Sequence, residues 1–289
     1  MKIFDCFMYF DEDLILDLRL NHLDEQVDYF VIVESIFSHN GEKRTPKFNI
    51  ENFKKFEKKI IYFLIDQKDS DFLEIDAKDT QNEKAAKQVM NALKRENHQR
   101  NFLLKGLTNA NDEDWIIISD LDEIPNPKKI KFFKKEMRFA VFKQLHFYYK
   151  LNLQSQNNPY WLGSRICVKK YLKSPQWLRN LKFKKRPFWR IDKLRLNNII
   201  EEGGWHFCNL KTPENLLYKY KNLCETNDPI NFKEKIDEKY LDINEIKKRV
   251  VKGEDIIGRD DNFNKVPLDS SFPAYLIENI KKYKDWIDE

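Results

Sequence analysis

Asp120 and Asp122 lie two residues apart in the run WIIISDLDEIP, one serine after four apolar residues. A buried aliphatic strand ending in acids sets their carboxylates outside the carboxyl end of a sheet, where open α/β sheets bind ligands. With Leu121 turned back into the protein, both carboxylates are free to face one point. Hard oxygen ligands at that spacing suit Mg2+ or Mn2+, held by one or two carboxylates and completed by substrate phosphates. The plainer alternative is a solvated acidic turn. The aliphatic strand before the pair, the third acid Glu123 and the closing Pro125 favour the metal reading.

A second unusual run is Glu201-Glu202-Gly203-Gly204-Trp205-His206-Phe207. Paired glycines let backbone approach a ligand closely, Trp205 offers a stacking face, and His206 offers a metal ligand or an acid/base near neutral pH. A histidine in an aromatic strand is equally at home as a satisfied core residue. Beside an Asp-x-Asp pair it becomes a candidate third metal ligand.

The elements that must position these residues show as alternating apolar runs and helical patterns in the first half, the signature of a sheet with crossover helices. Lys2 to Phe7 reads as a strand. A helix capped by Asp11 is expected through Val27, on the stripe Leu16, Leu20, Leu23, Val27, with Leu14 and Leu18 requiring cover on a second face. Tyr29 to Val33, ending in Glu34 and Ser35, Ile60 to Ile65, and Trp115 to Ile118 are continuous apolar strands of the parallel kind. Between them, Asp66 to Gln81 reads as a surface loop and Glu83 to Leu107 as one long helix. Phe139 to Leu153 and Tyr160 to Val168 read as antiparallel aromatic strands, and the Lys-rich chain from Pro213 on as mostly helical.

Composition narrows the classes further. Twenty-two Phe, 12 Tyr and 6 Trp in 289 residues exclude a disordered chain. A net charge of +5 from 52 basic and 47 acidic residues is too small and dispersed to announce a nucleic-acid binder. The start MKIFDCFMYFDEDL has acids where a signal peptide needs apolar residues, and no apolar run approaches the ~20 residues that span a bilayer. The expectation is therefore a cytoplasmic protein, at most peripheral at the inner face of a membrane through its Lys-rich helices. Cys6, Cys167, Cys208 and Cys224 form no CxxC pair and read as reduced, packed thiols.

Taken together, FDCFMYFDEDLILDLRLNHL, VDYFVIVES followed by Gly41 and Lys47, RNFLLKGL, WIIISDLDEIPNP and GGWHF resemble the glycosyltransferases of family 17. Animal members of that family are β-1,4-mannosyl-glycoprotein β-1,4-N-acetylglucosaminyltransferases. The segments fall in the family's order over roughly residues 1 to 225. The resemblance implies a GT-A fold, an α/β Rossmann-like mixed sheet flanked by helices, with residues 226–289 as a helical C-terminal extension packed on the same domain. It also implies inverting transfer from a UDP-sugar, N-acetylglucosamine by family precedent, with Mn2+ or Mg2+ at Asp120 and Asp122. The acceptor would be a hydroxyl of a glycan or lipid-linked saccharide. Cys208 stands where the animal proteins usually have serine.

Within that frame, inverting transfer needs a general base, and Glu201 and Glu202 are the candidates. Arg100 shares a helical stripe with Leu93, Leu104 and Leu107, so it either forms an internal ion pair or meets the diphosphate. Arg19 has the same two readings. Glu34, at a strand's crevice end, accepts from uracil or ribose, or else pairs with Arg19. Two rival functions share the acids. A nucleotidyltransferase would break the bond at the α-phosphate, but it usually has a Gly-rich or basic N-terminal loop that this chain lacks. A non-catalytic sugar-binding module would use the aromatic strands alone. A haloacid dehalogenase-type phosphatase carries its Asp-x-Asp after the first strand, unlike this chain.

Overall fold

Aliphatic runs without a polar face pair with one another in parallel: β1 (Ile3–Met8), β2 (Tyr29–Ser35), β3 (Ile60–Ile65) and β4 (Trp115–Ser119) lie in the order β4-β1-β2-β3. The structure, a computed structural model, describes residues 1–67, 71–183, 196–222 and 238–288. The crossovers are α1 (Asp13–Leu23), between β1 and β2, and α2 (Gln81–Phe102), between β3 and β4. Strand burial on two faces holds for β1, β2 and β4, whereas β3 is the edge strand and leaves Leu64 exposed.

Beyond β4 the short β5 (Glu123–Pro125) and α3 (Pro127–Ile130) lead into the second half of the sheet. There β6 (Phe139–Tyr148) runs antiparallel to β8 (Tyr160–Val168), which pairs antiparallel with β4; β7 (Leu153–Ser155) is a separate short strand. After α4 (Pro175–Asn180), β9 (Ile199–Cys208) inserts parallel to β6 and antiparallel to β5. The chain then forms α5 (Pro213–Asn222), α6 (Ile243–Lys252), β10 (Phe263–Lys265), α7 (Ala274–Glu278) and α8 (Ile280–Tyr283). Among the described residues ten strands make one mixed sheet, a Rossmann-like α/β arrangement of the glycosyltransferase type. The C-terminal part is not purely helical, because β10 pairs with β7. It also enters the main core through Phe272, Leu276 and Tyr283, whose hydroxyl donates to Asp17 at 2.6 Å. No described helix is long and apolar enough to cross a membrane.

Several local boundaries differ from the sequence reading for physical reasons. Asp11 does not cap α1; it pairs with Lys211, and the helix starts after Glu12 without a side-chain cap. Ile15, Leu16, Leu18, Leu20 and Leu23 are all buried, so α1 is covered on more than one face. α2 begins earlier than Glu83, because Thr80 and Glu83 form a reciprocal capping box, and its end tightens into a 3-10 turn over Leu103–Leu107. The expected stripe is only half right: Arg100 and Leu107 are buried while Leu93 and Leu104 are exposed. Cys6 and Cys167 are buried free thiols and Cys208 is half-buried; Cys224 lies outside the described residues.

His22, in the last turn of α1, packs edge-on against Trp205 with centroids 5.2 Å apart. Burial, and secondarily Lys128, pushes its pKa down from 6.5 to about 4. Because the folded value lies below that of the unfolded chain, the unfolded state takes up the proton first. This group therefore removes stability as pH falls from about 6.5 to about 4 and adds no further slope below. The melting temperature of His22→Leu should fall less steeply across that window than that of the wild type; equal slopes would refute the assignment.

Candidate active site

The acidic turn is held from beneath by Arg19, which is completely buried. Its guanidinium makes two bonds to Asp5 of β1, at 2.7 and 2.6 Å, and its third nitrogen donates to the carbonyls of Asp120, Leu121 and Glu123 at 3.1, 3.0 and 2.8 Å. A turn leaving a parallel strand exposes carbonyls that no ladder satisfies; here one cation serves three of them. The role is structural, and it fixes where the two aspartates point.

They point to different partners. Asp120 receives Arg100 at 3.0 Å and Arg179 of α4 at 2.6 Å. Arg100, nearly buried, also pairs with Glu96 at 2.9 Å and contacts Gln176. Arg179 forks onto the fully buried Glu123 at 2.7 and 2.6 Å. Burial alone would raise the Asp120 carboxyl, but Arg179 and then Arg100 hold it well below the usual carboxylate range. Arg100 thus forms an internal ion pair here. Arg179 also borders a cavity of about 360 Å3, lined with it by Leu162, Arg165 and Phe183.

Asp122 faces the other way, toward His206 of β9, with Oδ1 and Nε2 3.5 Å apart. Two backbone contacts set that approach. Glu123 pairs with His206 in the β5–β9 register, and the Phe207 N–H donates to the Asp122 carbonyl at 2.9 Å. Burial opposes both charges, yet their mutual attraction holds the Asp122 carboxyl below its usual range and His206 well above its own. The His206 ring stacks on His146 of β6 with centroids 4.8 Å apart. Trp161 of β8 leans over both, at 5.3 and 5.5 Å, keeps 40% of its surface exposed, and anchors its Nε1 on Glu123 at 2.7 Å.

The other sequence candidates are placed elsewhere. Trp205 is buried in the core and donates Nε1 to the Ser271 carbonyl, because successive residues of a strand face opposite sides and His206 takes the crevice side. The glycines serve strand crossing: a Cβ on Gly204, at φ +132, would stand 2.1 Å from the Ile124 carbonyl oxygen, and one on Gly203 2.7 Å from the Lys143 nitrogen. Glu201 and Glu202 sit in the register shift between β6 and β9, with Glu202 in the left-handed region at φ 51. They are exposed and paired with Lys143 and Lys129 at 3.0 and 2.5 Å. His206 is four residues further along β9, roughly 13 Å at ~3.3 Å per residue, so the structure does not bring these acids to the aspartates.

Glu34 is fully buried and does not pair with Arg19. It accepts from Arg44 at 2.9 Å, the Lys47 and Phe48 amides at 2.7 and 3.1 Å, and the Tyr62 hydroxyl at 2.9 Å, which organises the loop after β2. Sequence reasoning missed Glu123 as an anchor, His146 and Arg179, and offered Trp161 only as part of a non-catalytic sugar-binding surface. His146 is set directly opposite His206 only by the β6–β9 register, and nothing in PQWLRN marks Arg179.

Compared with known families, the chain matches Glycosyltransferase family 17 over residues 1–286. No curated protein matches it. A match over almost the whole chain, on a Rossmann-like sheet whose central strand ends in this acidic turn, means that the protein belongs to glycosyltransferase family 17 and is a glycosyltransferase, taking a sugar from a donor to a glycan acceptor.

Proposed function

We propose that the enzyme transfers a sugar with inversion from a UDP-sugar, N-acetylglucosamine by family precedent, to a hydroxyl of a glycan or lipid-linked saccharide, with Mn2+ or Mg2+. The observation that carries this reading is the Asp122–His206 pair at the carboxyl end of β4. The spacing of 3.5 Å between Oδ1 and Nε2 is about 0.5 Å wider than that of adjacent ligands on an octahedral cation at bond lengths of about 2.0–2.2 Å, a gap that a small side-chain shift closes. Asp120 is committed to Arg100 and Arg179, so we assign the ion to Asp122 and His206 and give Asp120 the task of poising the arginines. When bound, such an ion neutralises the leaving diphosphate. The two guanidinium groups are placed to exchange a carboxylate for phosphate oxygens. The nucleoside end is offered a cleft at the carboxyl ends of β2 and β3, lined by Ser35, Phe37, Ile65, Phe72 and Arg95. The exposed Trp161 face is offered to the acceptor ring.

Incubating the protein with UDP-sugars and acceptor glycans tests this directly. Release of UDP that requires Mn2+ or Mg2+ and stops with a chelator is expected. Release of pyrophosphate would identify nucleotidyl transfer instead, and neither release nor a donor-induced thermal shift would overturn the reading. A ligand at 100 times its dissociation constant adds about 2.7 kcal/mol, which a melting curve resolves.

A further inference from the structure

Beside the acidic turn, three side chains converge that contain no carboxylate. His146 and His206 are register partners on β6 and β9, and Cys208 lies two residues after His206 on the same face. One ligand atom from each lies within 4.8 Å of the others. Both imidazoles are more than nine-tenths buried, and each has one nitrogen, Nε2 of His146 and Nδ1 of His206, buried without a hydrogen-bond partner among the described residues. A buried polar atom without a partner is costly, and the two rings lie parallel, 4° apart, so a small turn of one ring brings both nitrogens onto a shared ligand.

The opposite nitrogens explain what kind of ligand. His146 Nδ1 lies 3.1 Å from the Asn158 carbonyl, which only accepts, so this nitrogen carries the hydrogen and Nε2 presents a lone pair. His206 Nε2 faces the Asp122 carboxylate and carries a hydrogen there, so Nδ1 is the nitrogen that releases its proton to solvent and offers a lone pair when a cation binds. A histidine that donates one N–H to a carbonyl or carboxylate and offers the other nitrogen is the arrangement that supports metal ligation. We infer that His146 Nε2, His206 Nδ1 and Cys208 Sγ form a second metal site, selective for a borderline-soft divalent cation of the zinc type.

Two imidazoles and a thiolate, with no oxygen ligand among them, match that class of ion better than Mg2+ or Mn2+, which favour oxygen. Bonds of about 2.0–2.1 Å to nitrogen and 2.3 Å to sulfur put tetrahedral ligands about 3.4–3.6 Å apart, so the trio closes by about 1 Å on binding. The thiol proton leaves to solvent as the Sγ–metal bond forms. Trp161 and Tyr148, with centroids 5.5 and 4.7 Å from His146, wall the site.

A neutral imidazole has one lone pair. With Nδ1 on zinc, His206 Nε2 carries the hydrogen and serves Asp122 as a donor, so it is not available to the cation of the sugar donor. Zinc therefore antagonises transfer. The site itself stands independently of the proposed reaction; only this antagonism rests on it.

Cobalt(II) titration of the metal-free, reduced full-length protein tests both parts. One equivalent should bind with a thiolate-to-cobalt charge-transfer band and the strong d–d absorption of a tetrahedral site. Cys208→Ser should lose the charge-transfer band, His146→Gln should weaken binding at least tenfold, and Zn2+ should displace the cobalt. Absence of the band in the wild type, or its persistence in Cys208→Ser, would overturn the site. In parallel, Zn2+ should inhibit Mn2+-supported UDP release by the wild type and not by Cys208→Ser. A cobalt band together with undiminished turnover at saturating Zn2+ would overturn the antagonism. Loss of turnover with Mn2+ alone would count against the transfer reading and leave the cobalt result untouched.

Discussion

Asp122→Asn is expected to lower kcat/KM for the UDP-sugar by at least about a hundredfold while keeping the melting temperature within a few degrees of the wild type. The amide keeps the volume and removes the charge that a hard cation requires, and even residues that only support metal ligands cost about 10–100-fold when changed. The fold should tolerate it, because the Asp122 side chain is 24% exposed and its backbone carbonyl still accepts from Phe207. Raising Mn2+ should recover part of the loss. Asp120→Asn supplies the contrast: it removes the carboxylate that Arg100 and Arg179 share, leaving each with a single acid, so it should lower the melting temperature and weaken donor binding with or without metal. Turnover by Asp122→Asn within about threefold of the wild type at the same Mn2+ concentration would remove the cation from this residue.

The largest expected loss of stability comes from Arg19→Met. The pair with Asp5 is wholly buried, and removing one partner of a buried ion pair costs about 3–5 kcal/mol. Three carbonyls of the acidic turn lose a donor as well, and for that of Leu121 no other is seen among the described residues. For a chain of this size each kcal/mol moves the melting temperature by about 2–4 °C, so a drop of roughly 10 °C is expected. The double variant Arg19→Met with Asp5→Leu should be less damaged than the sum of the single changes, because no lone charge is then buried. Additive losses in the calorimeter would show that the two residues do not act as a pair.

Much of this was legible from local pattern. Continuous aliphatic runs gave the parallel strands, and acids just after such a run gave the turn. Strand periodicity also held information that the reading of GGWHF left aside: neighbours alternate between faces, so Trp205 and His206 were never able to serve one crevice. The glycines were read as room for a ligand, whereas they are room for two neighbouring strands. Arg100 looked like a member of a leucine stripe, but the buried face of α2 is polar where it meets Asp120 and the loop after β2. Arg179 was beyond reach, since nothing local distinguishes an arginine at a short helix's end from one that clamps two carboxylates.

The support of the acidic turn also sets when it can exist. Arg19 reaches its carbonyls across 101 to 104 positions of sequence, and Arg179 reaches Asp120 and Glu123 across 59 and 56. Closing such long loops is slow relative to forming helices or hairpins, so a turn made of these contacts belongs to the late steps of folding. On the ribosome, a chain released only through β5 already has the acids and Arg19 but neither Arg179 nor His206. The nascent protein therefore acquires its chemistry only once β9 has emerged and annealed between β5 and β6.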